Sequence, residues 1–359
     1  MAPSHRVVSP GRVNLVGGHT DYSGGYVLPV ATDLHTRLDA SPHPDCVTVR
    51  STAMDETRTF AVDDAEPTGD WLDYVKGCYT VLREAGYDPV GFEGEIRGDL
   101  PLGAGLSSSA SLELAVLALL NDLSELGLSA AELARFGQRV ENEFVSVPCG
   151  VLDQSAVALT RESNALRLDT GTLDYEHVPL PTDIRLLVFH TGVERTLSET
   201  PYAERRETVA AALEHLGVER STVLDEGDLA DLPETQRQRL GYVVRENDRV
   251  LRASEALAAG DAAAVGDLLL AAHEDLARNF EASCAELDAA VELAVEAGAH
   301  GARVTGAGWG GAIVAVVDAG DAAAVENELH ERYSDRFPDR DPRSHLIAPA
   351  GGVRVERLE

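Results

Sequence analysis

The amino-acid sequence predicts an α+β protein built in two halves. The chain has 359 residues, of which 44% are hydrophobic, and single domains commonly hold about 100–200 residues. Strand-like runs crowd into the first part of the chain, whereas helical patterns dominate beyond Thr182. Clustering of this kind is typical of α+β folds rather than of strictly alternating α/β folds. We therefore predict two domains, at residues 1–181 and 182–359.

The first half should contain short strands followed by helices. Apolar runs separated by glycine, proline and aspartate predict strands at Arg6–Ser9, Tyr26–Ala31, His35–Ala40, Val47–Ser51, Thr57–Val62 and Phe92–Arg97. Apolar residues that recur every three or four positions predict helices at Trp71–Ala85, Ser108–Leu123, Ala130–Glu143 and Gly150–Thr160.

The second half should be richer in helix. Ile184–His190 is a strongly apolar run and predicts a strand, and two further strands, Ala302–Val304 and Ala312–Val317, flank a glycine-rich run. Helical periodicity, with many acidic outward faces, predicts helices at Pro201–Leu216, Leu240–Ala258, Ala262–Asn279, Ala285–Gly298 and Ala322–Tyr333.

The charge of the chain excludes several partners. There are 61 Asp and Glu against 30 Lys and Arg, for a formal charge of −31. Such a field repels nucleic acid and anionic lipid. Lys76 is the single lysine, so the chain lacks the lysine-containing P-loop of many NTPases, and it also lacks the H-R-D and D-F-G loops of protein kinases.

The acidic excess has two interpretations. It serves solubility alone, or it adapts the protein to molar salt, where a Debye length of about 3 Å screens the repulsion between carboxylates. The near absence of lysine favours the second interpretation.

The cysteines and the hydrophobic pattern bear on the compartment. The four cysteines are widely separated and form no C-x-x-C pair, which disfavours zinc sites and disulfide scaffolds. The sequence shows neither a membrane-spanning apolar run nor a signal-peptide core. We expect a cytoplasmic protein in a high-salt cytosol, and a monomer, with a dimer as the alternative.

A Gly/Ser segment is the first candidate site. The sequence Pro101-Leu-Gly-Ala-Gly-Leu-Ser-Ser-Ser-Ala-Ser-Leu-Glu113 precedes an apolar helix. Glycines let the backbone approach an anion closely, and the free N–H groups at a helix start favour phosphate. This pattern indicates a phosphate cradle without lysine; a flexible turn with an ordinary serine N-cap is the alternative.

Two further segments carry unusual residues. The run Thr305-Gly-Ala-Gly-Trp-Gly-Gly311 indicates either a close backbone approach or a tight hairpin. The segment Ser9–Pro29 concentrates Arg12, Asn14, His19, Asp21 and Tyr22 among glycines. Donors and acceptors at this density suit a polyhydroxylated ligand; a hairpin with capped turns is the alternative.

Taken together, these motifs resemble the galacto-, homoserine, mevalonate and phosphomevalonate (GHMP) kinase superfamily, and the first motif resembles the galactokinase signature. Segments at Trp71–Gly77, Cys149–Gln154 and Arg195–Arg206 are also similar to galactokinase segments. The resemblance implies a two-domain architecture of mixed sheets and helices, with the active site in the cleft between the domains. It also implies transfer of the γ-phosphoryl group of ATP to the C1 hydroxyl of D-galactose.

The resemblance also implies a nucleotide and metal site. The triphosphate would be wrapped by the Gly/Ser loop, and Trp71 would border the nucleotide. The loop residues are Gly103, Ala104, Gly105, Leu106, Ser107, Ser108 and Ser109. Mg²⁺ would be held by Ser109 and Glu141, since a hydroxyl and a carboxylate suit a hard cation.

The catalytic and sugar-binding residues follow from the same resemblance. Asp153 would face the anomeric hydroxyl, as a base or only as an orienting group, and Arg12 would lie between Asp153 and the phosphoryl group. The sugar would contact His19, Thr20, Asp21, Gly150 and Tyr202.

One position departs from the family. Galactokinases usually carry Gly-Glu-His-Thr-Asp where this chain has Gly17-Gly18-His19-Thr20-Asp21. Losing that glutamate removes a contact on the C6 side of the sugar and should leave space there. D-galacturonate or L-arabinose is therefore the alternative substrate. A second alternative is a non-catalytic galactose and ATP sensor, which the intact motifs disfavour. A dinucleotide-binding oxidoreductase is disfavoured because no G-x-G-x-x-G opens a βαβ unit.

Overall fold

The sheet of the first half is built around two long neighbouring strands. A computed structural model describes residues 3–64, 66–100, 105–194 and 201–358. Its largest sheet has the order β13-β1-β3-β6-β4-β5, formed by β1 His5–Asn14, β3 Pro29–His43, β4 Cys46–Ser51, β5 Glu56–Ala61, β6 Gly91–Gly98 and β13 Arg354–Arg357. All neighbours pair antiparallel except β4 and β6.

Helices cover this sheet and place its core. They are α1 Asp73–Glu84, α2 Ser108–Leu123, α3 Ala130–Arg139 and α4 Leu152–Leu159. A π-helical segment, Val140–Val145, continues from α3. Helix α2 buries residues on all its faces, which explains why its Ala- and Leu-rich sequence predicts its bounds so closely.

The second half packs helices on a fully antiparallel sheet of order β10-β11-β9-β12. Its strands are β9 Ile184–His190, β10 Gly301–Thr305, β11 Ala312–Asp318 and β12 Arg343–Ile347. Its helices are α5 Tyr202–Leu216, α6 Glu234–Ala259, α7 Ala262–Asp275, α8 Ala285–Glu296 and α9 Ala322–Arg336, with a π-helical segment, Leu276–Phe280, after α7.

The two halves share structure. A small sheet joins β2 Tyr26–Val27, β7 Asn164–Asp169 and β8 Tyr175–Pro179 in the order β2-β7-β8. One apolar cluster contains Val13 and Leu28 from the first half together with Val188, Val250 and Val314 from the second. The C-terminal strand β13 pairs with β1. The boundary between residues 181 and 182, which falls between β8 and β9, stays a prediction.

The predicted α+β class is confirmed, but some elements were missed. Sequence patterns gave no signal for β7, β8, β12 and β13, and α6 begins six residues before the predicted Leu240. The predicted strand at Tyr26–Ala31 is divided between β2 and β3, and β3 continues without interruption through His35–Ala40. Among the helices of the described ranges, none is both long and apolar enough to cross a bilayer.

Candidate active site

An arginine and an aspartate from distant parts of the chain form the centre of the site. Arg12 on β1 contacts Asp153 in the first turn of α4 through two parallel bonds, with Nε to Oδ1 at 2.7 Å and Nη2 to Oδ2 at 2.7 Å. The third nitrogen of the guanidinium, Nη1, donates to the carbonyl of Gly105 at 2.6 Å. The Arg12 side chain is 8% exposed, whereas that of Asp153 is 33% exposed. The pair is therefore anchored on the arginine side and open on the carboxylate side.

Local backbone geometry aims Arg12 at this pair. The register of β1 against β3 shifts between Pro10 and Arg12, and such a bulge redirects the side chain that follows it. The amide of Arg12 then donates to the carbonyl of Leu106 at 3.1 Å. Strand β1 thus holds both the guanidinium and the loop that precedes α2.

Residues 105–109, the serine loop, bring helix α2 to the pair. Gly105 and Ser107 have positive φ angles, +75° and +59°, and Ser107 is the residue before the helix, with no side-chain cap on the helix amides. Instead, the Ser107 hydroxyl donates to Oδ2 of Asp153. The first-turn N–H groups of α2 therefore stay available to an anion.

The other members of the predicted phosphate loop are placed differently. Ser108 and Ser109 occupy the first turn of α2 and are partly exposed. The Leu106 side chain is buried in the apolar cluster shared by the two halves, so only its backbone faces the loop. Gly103 and Ala104 lie outside the described residues.

Ser109 and Glu141, predicted as metal ligands, do meet. Glu141 lies in the π-helical segment and is buried, and the Ser109 hydroxyl is close enough to lower its pKa. Burial raises the pKa of Glu141 above its ordinary value, and hydrogen bonds from Ser109 and Cys149 offset part of that rise.

The surroundings of Glu141 fit a cation. Glu113 on α2 is fully buried, its Oε1 has no hydrogen-bond partner, and burial followed by the Glu141 charge raises its pKa well above its ordinary value. Within the described ranges no group of three or more His, Cys, Asp or Glu side chains is arranged as a metal site. A cation here would draw its remaining ligands from phosphate oxygens and water, as Mg²⁺ commonly does.

Residues 17–22, the His19 loop, lie next to the ion pair. The Thr20 hydroxyl is fully buried and lies within hydrogen-bond distance of the carbonyls of Gly17, at 2.9 Å, and Tyr26, at 2.7 Å. Asn14 donates to the Gly17 carbonyl at 3.0 Å. These bonds give Thr20 a role in shaping the loop, and the predicted contact between Thr20 and a sugar stays a prediction.

Asp21 is the partly buried acid of this loop. Burial, followed by the charge of Asp153, raises the pKa of Asp21 to about 6, although Arg12 and Arg206 oppose the rise. Its Oδ2 lies 1.9 Å from the point where a Cβ of residue 150 would stand, so glycine is required at Gly150. The structure thus brings Asp21, Gly150 and the Arg12–Asp153 pair together.

Aromatic rings surround His19 and form what we call the aromatic wall. The ring centroids of Phe280, Tyr202, Tyr22 and Trp309 lie 4.6, 5.6, 6.0 and 6.0 Å from that of His19. His19 Nδ1 and Nε2 contact the Tyr22 hydroxyl at 3.1 Å and the Ala307 carbonyl at 2.9 Å. Aromatic faces beside a few polar groups are typical of small-molecule sites.

The glycine-rich run supports this wall. It turns between β10 and β11, so the alternative of a hairpin is what the structure shows, and it also makes a close approach. A Cβ at Gly308 would stand 1.9 Å from the carbonyl of Ala282, and Trp309, with φ +56°, donates from its amide to that carbonyl at 3.1 Å. Sequence reasoning singled out this run but missed Phe280 and Ala307 as neighbours of His19.

Space at Gly18 differs from the sequence expectation. A Cβ at Gly18 would lie 2.6 Å from Nη2 of Arg303 and 3.4 Å from the Tyr242 hydroxyl. The expectation that the missing glutamate leaves space there is wrong, because the Arg303 guanidinium fills it.

Trp71 lies beside a cavity near the serine loop. The open cavity is lined by Trp71, Ser108 and Leu112 together with Thr36, Ser51 and Ile96. The apolar lining beside the start of α2 suits a planar base joined to phosphate. Lys76, in the same segment, is buried and donates to the carbonyl of Glu66 at 2.8 Å.

Comparison with known families gives three matches along the chain. Residues 2–42 match the galactokinase galactose-binding signature. Residues 73–161 match the GHMP kinases N terminal domain, and residues 253–335 match the GHMP kinases C terminal family.

Individual proteins match over nearly the whole chain. A galactokinase of Thermococcus kodakarensis is 49% identical over 98% of this chain and 99% of its own length. A galactokinase of Pyrococcus furiosus is 46% identical over 97% and 99%. The crystal structure of Lactococcus lactis galactokinase complexed with galactose superposes with a TM-score of 0.92 at 34% identity, covering 98% of this chain and 94% of that one. The fold extends further, since the Methanococcus jannaschii mevalonate kinase has a TM-score of 0.69 at 17% identity, over 96% of this chain and 98% of its own.

Proposed function

The chain belongs to the galactokinase family of the GHMP kinases, and from that premise we propose that it transfers the γ-phosphoryl group of ATP to the C1 hydroxyl of D-galactose, giving α-D-galactose 1-phosphate. The observation that carries this proposal is the position of the Arg12–Asp153 pair. The pair contacts the serine loop through Gly105 and Ser107. It also lies close enough to the His19 loop for the charge of Asp153 to raise the pKa of Asp21. A phosphate donor and a polyhydroxylated acceptor would therefore meet at this pair.

Arg12 is suited to the developing charge of the transfer. Phosphoryl transfer passes through a loose transition state with negative charge spread over the phosphoryl oxygens, so alignment and electrostatic stabilisation do most of the work. Arg12 is fixed by Asp153 on one side and by the Gly105 carbonyl on the other, which pre-organises its positive charge before the substrates arrive.

Asp153 is suited to hold the acceptor hydroxyl. Its carboxylate is the open side of the pair, and it receives hydrogen bonds from Arg12 and Ser107 while keeping a third of its surface exposed. A C1 hydroxyl can donate to it, and Asp153 then orients the oxygen toward the γ-phosphorus and takes the proton as the bond forms.

The nucleotide would be bound with little help from positive side chains. The first-turn amides of α2 and the backbone of the serine loop would hold the phosphates, and the base would enter the cavity beside Trp71. Ser109 and Glu141 would hold Mg²⁺, which neutralises phosphate charge when bound. In a chain of formal charge −31, these groups supply most of the attraction for ATP.

The sugar would lie against the His19 loop. Asp21 offers an acceptor, the aromatic wall offers apolar faces, and Tyr202 offers a phenol whose pKa is raised well above its ordinary value by burial and by Asp21. Both ring nitrogens of His19 contact Tyr22 and Ala307, so a sugar hydroxyl would replace one of these partners to bind His19. A protonated phenol and an ionised carboxylate are complementary partners for sugar hydroxyls.

A sugar panel tests the proposal. D-galactose, D-galacturonate, L-arabinose and N-acetylgalactosamine are compared with MgATP in molar KCl, and the phosphorylated carbon is located by ³¹P-coupled NMR. We expect D-galactose to have the highest kcat/KM, with phosphate on C1. A higher kcat/KM for galacturonate or arabinose would overturn the choice of sugar, and binding of galactose and ATP without turnover would support the sensor alternative.

We also propose that the protein works in a cytoplasm of molar salt. The excess of 61 acidic over 30 basic residues supports this, because self-repulsion weakens when the Debye length falls to about 3 Å in 1 M salt. Circular dichroism should show unfolding when KCl is diluted below about 0.1 M, and an unchanged signal would contradict the proposal. The expected monomer stays a prediction, which sedimentation in the same salt would test.

A further inference from the structure

The carboxylate of Glu246 on α6 binds the backbone of the His19 loop. Its Oε1 accepts hydrogen bonds from the amides of Gly17, at 2.9 Å, and Gly18, at 3.2 Å. The side chain is fully buried, and it pairs with Arg303 and with Arg249, whose Nη1 lies 3.0 Å from Oε2. A buried carboxylate with two guanidinium partners is a fixed, charge-assisted acceptor.

A second residue of α6 holds the same glycine. The Tyr242 hydroxyl donates to the carbonyl of Gly18 at 3.0 Å. Tyr242 and Glu246 are four residues apart and therefore lie on one face of the helix. Both backbone groups of Gly18, its N–H and its C=O, are thus bound by side chains of a single helix.

The same helix also fixes the chain beyond the loop, where β2 begins. Asn247 accepts from the amide of Tyr26 at 2.8 Å and donates to the Ser221 hydroxyl at 3.1 Å. The segment between Gly18 and Tyr26 contains His19 and Asp21, and His19 has a φ of +61°, a left-handed conformation that is uncommon for residues other than glycine. The contacts of α6 are placed to impose it.

Stability alone does not explain the charges. Removing a pair of buried charges in favour of apolar residues is often neutral or stabilising. Here burial by itself would raise the pKa of Glu246, but Arg303 and Arg249 outweigh it, so the net pKa lies below the ordinary value and the carboxylate stays ionised. Besides pairing with the two arginines, this ionised acceptor holds the two glycine amides.

We propose that Glu246 and Tyr242 are positioning residues for the sugar: they bind Gly18 from α6 and thereby fix His19 and Asp21 in the geometry that receives the acceptor. Arg303 belongs to the same arrangement, because its guanidinium fills the space that a side chain at position 18 would need. This inference rests on the proposed sugar kinase function for its kinetic consequences. Its structural consequence, restraint of the loop, does not depend on which sugar is used.

The test compares Glu246→Gln and Tyr242→Phe with Asp275→Asn. Asp275 belongs to the same ion network, and its partners among the described residues are Arg249, Arg245 at 2.7 Å and Asn279 at 2.7 Å. Hydrogen exchange of peptides covering residues 14–22 is measured in each full-length variant, together with KM for galactose and KM for ATP.

We expect the loop amides to exchange about tenfold faster in Glu246→Gln, because a neutral acceptor binds about half as strongly as an ionised one. KM for galactose should rise about tenfold, while KM for ATP stays within about twofold. Tyr242→Phe keeps the packing and removes one neutral bond, so a rise of about threefold to fivefold is expected. Asp275→Asn should leave exchange in residues 14–22 at the wild-type rate.

Two results would overturn the inference. One is wild-type exchange and KM in a folded Glu246→Gln or, should that variant not fold, in Tyr242→Phe. The other is an equal change in Asp275→Asn, which would assign the effect to the charge network as a whole. Failure of the proposed function has a separate signature: the wild-type protein would not phosphorylate galactose, while the exchange difference between the variants would persist.

Discussion

The two aspartates of the site, Asp153 and Asp21, are held in opposite ways. Asp153 is partly exposed and receives two bonds from Arg12 and one from Ser107. Asp21 is also only partly exposed, but it has no such ion pair with the described residues, and loss of hydration followed by the charge of Asp153 raises its pKa to about 6. The carboxylate of Asp153 is therefore stabilised before substrate arrives, whereas the carboxylate of Asp21 is left to accept hydrogen bonds from the substrate.

The two aspartates should therefore affect the stability of the empty protein differently. An ion pair with good geometry and satisfied hydrogen bonds offsets much of the cost of its own desolvation in the empty protein. An acid whose pKa is raised by lost hydration destabilises the empty protein when it is ionised at neutral pH. The sugar-facing end is therefore where we expect activity and stability to oppose each other.

The largest effect is expected at Asp153. Asp153→Asn keeps the shape of the side chain but removes the charge that orients the C1 hydroxyl and pairs with Arg12, so kcat should fall about 10³-fold or more. Galactose affinity, measured by calorimetry, should stay within about threefold of wild type. Turnover within about tenfold of wild type would remove Asp153 from the mechanism and erase the contrast with Asp21.

A smaller effect is expected where the nucleotide meets the cation. Glu141→Gln should raise the Mg²⁺ concentration needed for half-maximal activity by about 10–100-fold, because a neutral amide is a poor ligand for a hard cation. The matched control is Glu143→Gln, since Glu143 is exposed two residues away and pairs with Arg139 at 2.8 Å. Equal Mg²⁺ dependence in both variants would contradict the metal role of Glu141.

At Asp21 we expect a gain in stability together with a loss in binding. Asp21→Asn should weaken galactose binding about 10–100-fold by replacing an ionised acceptor. The folded pKa of about 6 lies above the ordinary 3.8, so ionisation disfavours the folded state, and the wild-type protein loses stability as pH rises from about 4 through about 6. The Asn variant lacks that loss.

The empty Asn variant should therefore be more stable than wild type by about 1–3 kcal/mol above pH 6 and equally stable near pH 4. Denaturant unfolding in molar KCl at both pH values measures this. A variant that is less stable than wild type at pH 8 would show that Asp21 is satisfied in the empty protein.

The contrast between the aspartates also shows what the sequence could and could not reveal. Helix α2 was predicted at its true bounds because its apolar composition and its serine start are local signals. Strands β12 and β13 contain arginine, serine, histidine and glutamate, and their pairing partners alone decide their conformation. No local pattern could predict them.

Contacts in the site that join distant parts of the chain also lack a local sequence signal. Arg12 and Asp153 are 141 positions apart, so their contact could be expected only through the resemblance to a family. Glu246 carries no distinguishing pattern, because sequence alone does not tell which face of α6 is covered by the His19 loop. The filled space at Gly18 was missed for the same reason, since it depends on Arg303 from a distant strand.

The smallest predicted effect is a pH dependence confined to the sugar. If ionised Asp21 is the form that accepts from a hydroxyl, a pKa of about 6 leaves most of it ionised at pH 7 and about a tenth ionised at pH 5. Galactose affinity in the absence of nucleotide should therefore fall about tenfold over that interval. Calorimetry at constant KCl measures it.

Two variants, Asp21→Asn and Asp153→Asn, serve as controls for this pH dependence of galactose affinity. Asp21→Asn should bind galactose weakly but with no change between pH 7 and pH 5, whereas Asp153→Asn removes a neighbouring negative charge that raises the Asp21 pKa. In Asp153→Asn the fall in affinity should accordingly move to lower pH. A pH dependence that persists in Asp21→Asn would assign the titration to another group, and one that does not move in Asp153→Asn would show that the two carboxylates do not sense each other.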